Sequence, residues 1–81
     1  MTSINITFNS QQVQVQTGTS LREFVSTQIG KELDAESKAA DGSKLGVAAA
    51  VNGGVIPRSA WNATVLENGH SVELVTAAQG G

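Results

Sequence analysis

INITFNSQQVQVQTGTSLREFVSTQIG, Ile4 to Gly30, changes its hydrophobic period halfway along, and that change decides the fold. Ile4 to Phe8 alternates apolar and polar residues, and Val13 to Val15 does so again after the link NSQQ. Two runs of period two joined by a short polar link predict a β-hairpin. The period then lengthens. Leu21, Phe24, Val25 and Ile29 fall at i, i+3, i+4 and i+8, one face of a helix that would lie against the sheet. Ser20 followed three residues later by Glu23 is a capping-box pattern, so the helix starts there. Gly30 is its expected stop, although Leu33 could add one more turn.

Beyond the helix, Asp34 to Lys44 (DAESKAADGSK) mixes charge, small residues and glycine without apolar periodicity, and reads as a solvated connection. LGVAAAV resumes extended structure, with Val47, Ala49 and Val51 on one face and alanines on the other. NGG, Asn52 to Gly54, signals a tight turn because Asn and Gly tolerate positive φ. Pro57 cannot donate to a ladder, which makes VIPR an edge segment or a loop entry. Trp61 lies in an irregular stretch, and the turn ENGH leads into SVELVTA, an interior strand. Hairpin, helix, strand, short strand, strand describes an α+β domain: a mixed four- to five-stranded sheet packed on one helix, the β-grasp or ubiquitin-like architecture.

Composition narrows the function. With 81 residues, 40% hydrophobic and 15% charged, the chain has the material for one small core, so residues 1–81 are expected to form a single domain. A net charge of -2 provides no basic surface for a phosphate backbone, which argues against nucleic acid. The absence of cysteine excludes disulfides, thiolate metal sites and thiol nucleophiles. The opening MTSINITFNSQQ has neither the basic nor the apolar region of a signal peptide, and no apolar run suits a bilayer span, so the expected location is the cytoplasm, with no membrane partner.

Reactive groups do not converge in the sequence. His70 is the only histidine and sits in a turn beside Gly69, without the oriented partner that base catalysis requires. The carboxylates are scattered, no metal-ligand spacing exists, and DGSKLG lacks the pattern of a phosphate-binding loop. No catalytic residue and no metal site are therefore expected. Arg58 and Trp61, in IPRSAW, are residue types common at protein interfaces and are candidate partner contacts; the alternative is that Trp61 covers the core and Arg58 is solvated.

The end of the chain differs from the rest. VTAAQGG finishes on Gly80-Gly81, a pair that anchors nothing, because glycine loses more freedom on ordering than any other residue. Residues 77–81 are expected to project as a flexible tail, reaching about 16 to 18 Å when extended. Only Gln79 carries a side chain larger than methyl, so the tail suits a narrow channel. What it would deliver is a carboxylate, ordinarily ionised at neutral pH, which can attack the α-phosphate of ATP.

AAAVNGGVIPRSAW followed by LENGHSVELVTAAQGG resembles the ThiS family, the sulfur carrier proteins of thiamine biosynthesis. The similarity is strongest from about Val47 to Gly81, and the NITFN opening and the helix agree with it. The resemblance implies that an E1-like adenylyltransferase uses Mg-ATP to convert the carboxylate of Gly81 to a glycyl adenylate. Sulfur relayed from a cysteine desulfurase would then give a thiocarboxylate (1-thioglycine), which a thiazole synthase consumes. Gly80 and Gln79 would thread the partner active sites, and the chain itself would bind no cofactor. It would be a carrier and not an enzyme. Competing readings are a molybdopterin synthase small subunit, which shares the fold and tail chemistry, a ubiquitin-like protein modifier, and a plain binding module. Two features depart from the family: Lys31 to Lys44 is longer and more polar than expected, and His70 stands where an Asp commonly follows the turn glycine.

Overall fold

The computed structural model describes residues 2–34 and 46–76. Strand β1 (Ser3–Phe8) and strand β2 (Gln11–Gln16) form the expected hairpin, followed by helix α1 (Leu21–Ile29), strands β3 (Val47–Val51) and β4 (Gly54–Ile56), a 3-10 turn (Arg58–Ala60) and strand β5 (Ser71–Thr76). They make one five-stranded sheet in the order β2-β1-β5-β3-β4. The first and last strands lie side by side and parallel, while every other pairing is antiparallel. This is the mixed sheet with one helix that the sequence order requires.

Local chemistry sets the boundaries. Asn9 and Ser10 both take positive φ, 47° and 73°, as a two-residue hairpin turn matched to strand twist demands. The glutamines of NSQQ consequently belong to β2, and the register sets Ile6 against Val13 and Ile4 against Val15. Asn52 and Gly53 repeat the device between β3 and β4, with φ of 52° and 85°. At the start of α1 the Ser20 hydroxyl accepts from the Glu23 N–H at 3.1 Å, and the Glu23 carboxylate accepts from the Ser20 N–H at 3.0 Å. Gly30, left-handed at φ 71°, ends the helix and donates to the Ser26 carbonyl at 3.0 Å. Leu33 therefore adds no helical turn. The chain doubles back after Gly30, Leu33 enters the core, and its carbonyl accepts from Arg22 Nη1 at 2.7 Å.

A nine-residue helix is marginal alone in water, so α1 depends on what it covers. Leu21, Phe24 and Val25 pack with Ile6, Leu33, Ala49, Trp61, Leu66 and Val72 into one buried cluster. Phe24 meets Phe8 edge to face, with ring centroids 5.0 Å apart. The segment after β4 is stitched to the front of the helix. The Leu21 N–H donates to the Thr64 carbonyl at 2.7 Å and the Leu66 N–H to the Thr19 carbonyl at 2.9 Å.

Candidate functional site

Among the described residues, none forms a layer over the far face of the sheet. Because side chains alternate along a strand, putting Ala49 and Val72 into the core turns Ala48, Val55, Glu73 and Val75 outward. Val55 is 74% exposed and Val75 62% exposed, both too apolar for solvent contact to explain their placement in a chain with so small a core. The register sets Ala48 opposite Val75 and Ala50 opposite both Glu73 and Val55. The alanines keep this surface low, and it runs to the end of β5, the strand that leads into residues 77–81.

Arg58 and Trp61 are brought together, in different roles. The Trp61 indole is 1% exposed, and its Nε1 donates to the Ile56 carbonyl at 2.9 Å. It is core, and its ring offers a partner no surface. The expectation of a contact at Trp61 is corrected here by burial, since a small core gains more from its one indole than from any other side chain. Arg58 is half-buried beside it. Its guanidinium lies 5.6 Å from the centre of the indole ring, and Nη2 donates to the Val47 carbonyl at 3.2 Å. Arg58 thus fastens the segment after β4 to the start of β3. Gln79, Gly80 and Gly81 lie outside the described residues, as do residues 35–45 of the long connection.

His70 bonds back onto Glu67. Its Nδ1 accepts from the Glu67 backbone N–H at 3.1 Å, and the His70 backbone N–H donates to the Glu67 carbonyl at 3.0 Å. The imidazole closes the ENGH turn; it faces no reacting group. An open groove of about 610 Å³ runs between the outer edge of β2 and α1, lined in part by Val13, Val15, Phe24 and Leu33. No nucleophile paired with a base lines it. Among the described residues no three His, Cys, Asp or Glu side chains gather as a metal site, and no helix is long and apolar enough to cross a membrane. What the body offers is an exposed patch of Ala48, Val55 and Val75 beside Glu73, and a strand leading off it.

One residue carries more than its sequence context suggests. Asn9 is legible only as part of a polar link, yet its side chain reaches Leu74 of β5, 65 positions away. The only advance signal is an Asn at a hairpin turn, a residue that tolerates positive φ and has an amide to share.

The family model described as ThiS family matches residues 3–81. The crystal structure of a thiamine biosynthesis protein (ThiS) from Geobacter metallireducens is similar to this chain, with a TM-score of 0.67 and 26% identity over 96% of this chain and 100% of that one. No curated protein matches the sequence significantly.

Proposed function

Because the chain belongs to the ThiS family, we propose that it is a sulfur carrier of thiamine biosynthesis, acting in the cytoplasm, and that the carboxylate of Gly81 is the group that carries the sulfur. The observation that carries this reading is the match running through residue 81, on a body that ends its last strand at Thr76. The sequence between them, AAQGG, contains nothing bulky.

The chemistry divides between carrier and partner. In the E1-like adenylyltransferase, a carboxylate oxygen of Gly81 bonds to the α-phosphorus of Mg-ATP, and the α–β anhydride bond breaks to release pyrophosphate. The outer sulfur of a persulfide relayed from a cysteine desulfurase then attacks the acyl carbon, and AMP leaves with its electron pair, giving an acyl disulfide. A thiol attacks the distal sulfur of that disulfide and is oxidised to a new disulfide, and the thiocarboxylate leaves with the electron pair of the broken S–S bond. Adenylation matters because a carboxylate oxygen is a poor leaving group and AMP a good one. The thiazole synthase takes the sulfur from there. Nothing in the described body is arranged to catalyse these steps, and the reading asks it only to dock and deliver.

The open face made by Ala48, Val55 and Val75 is where the activating enzyme docks. It sets two exposed valines and small alanines beside Glu73, no other described residue covers the valines, and it borders the strand that leads to the tail. Deleting Gly81 tests the reading. The shortened protein should keep its melting temperature, since a chain end contributes little to stability, and should support no thiazole formation. Thiazole formation at the ordinary rate would refute the assignment.

A further inference from the structure

Strand β5 is held differently on its two sides. Asn52 N–H donates to the Ser71 carbonyl at 2.7 Å, so alternation along the antiparallel ladder turns the backbone groups of Val72 and Leu74 away from β3, toward β1. On that side β1 supplies a parallel ladder: the Thr7 N–H donates to the His70 carbonyl at 2.9 Å and the Asn9 N–H to the Val72 carbonyl at 3.0 Å. The next rung would fall at Leu74, but the chain has already turned back at Asn9 and Ser10. The Asn9 side chain fills the gap. Its Oδ1 accepts from the Leu74 N–H at 3.0 Å, and its Nδ2 donates to the Leu74 carbonyl at 3.4 Å. A side-chain amide has one carbonyl and one N–H face, as a peptide group has, so it continues the ladder one rung beyond the end of the strand.

We propose that Asn9 is a positioning residue for sulfur loading: its amide holds the β1 side of β5 at Leu74, two residues before the strand ends at Thr76 and seven before Gly81, and so sets the direction in which the strand runs toward the activating enzyme. This rests on the carrier reading above. Holding the root of a reactive arm matters because a small misplacement of a reacting group costs far more rate than affinity. Asn9 lies at the hairpin tip, away from Val55 on the opposite edge strand. Val75, next to Leu74, is paired with Ala48 on the β3 side, a pairing that does not involve the Asn9 amide, so the docking face should stay in place when that amide is lost.

The experiment compares the full chain with Asn9→Gly, Asn9→Asp and Ser10→Gly. Glycine keeps the positive φ of the turn and removes the amide; aspartate keeps only the acceptor; Ser10→Gly changes the turn and keeps Asn9. Two quantities are read: backbone hydrogen exchange at Leu74, and pyrophosphate–ATP exchange catalysed by the E1-like adenylyltransferase. For Asn9→Gly, exchange at Leu74 should quicken about three- to tenfold relative to Val13 in β2, the loss of one net hydrogen bond. The adenylation kcat should fall about tenfold with KM within about twofold of the parent. Asn9→Asp should fall between the two, and Ser10→Gly should match the parent. Unchanged exchange at Leu74, or an unchanged kcat in Asn9→Gly when the parent is adenylated normally, overturns the positioning role alone. A parent that supports no exchange with any such enzyme overturns the carrier reading and the proposal with it.

Discussion

The face of the sheet beneath α1 and the face turned away from it are built from the same strands and hold their apolar side chains in opposite ways. Beneath the helix, Ile6, Ala49, Val72 and Trp61 are at most 1% exposed. On the other side, Val55 and Val75 stand mostly in solvent. Burial of apolar surface is the main force for folding, and the chain withholds it from one face. The inner face therefore sets stability, and the outer face is the proposed docking surface. Substitutions should separate along that line.

The largest effect is expected at Trp61. Trp61→Ala should cost about 3 to 5 kcal/mol of unfolding free energy, measured by urea denaturation, because it empties a fully packed site. A loss below about 1 kcal/mol would place the indole outside the core. Val75→Lys is the converse. It should weaken binding to the adenylyltransferase by about 2 kcal/mol, the scale of a central contact in an interface, read by calorimetry, while moving stability by no more than about 0.5 kcal/mol. Unaltered affinity would free the outer face from the docking role and erase the contrast. Arg58→Ala should cost about 1 kcal/mol of stability, since it removes a hydrogen bond to Val47 and the cation over the Trp61 ring. If partner affinity falls as well, Arg58 belongs to both regions. The smallest effect is expected at His70, where replacement by Ala should cost about 0.5 to 1 kcal/mol and replacement by Asp should recover most of it, because either Nδ1 or a carboxylate can accept from the Glu67 N–H.

What could be read in advance follows the range of the interactions concerned. The hairpin, the capping box at Ser20 and Glu23, the stop at Gly30 and the Asn52-Gly53 turn are each specified within a few neighbouring residues. Their residue types permit little else. The sequence leaves Trp61 open between core and interface, because a tryptophan in an irregular segment suits either. Its position is decided by the segment after β4 folding back onto α1. Leu33 escaped for a related reason: its spacing suits another helical turn, but Gly30 reverses the chain first. Asn9 lies furthest from sequence reading. Its role exists only once β1 and β5, from opposite ends of the chain, lie parallel with β1 the shorter at that end. Of the site itself, the resemblance named Gly81, and the structure contributes the open face and the strand leading from it.

If the chain is a sulfur carrier, its body serves to present Gly81 for another enzyme to charge. Intact-protein mass spectrometry, after incubation with the E1-like adenylyltransferase, Mg-ATP and a hydrosulfide source, tests it most directly. A single product is expected in which one oxygen has been exchanged for sulfur, with fragmentation locating the change at Gly81. An unaltered mass under conditions where the same enzyme charges another ThiS family member, or sulfur found at any other residue, would contradict it.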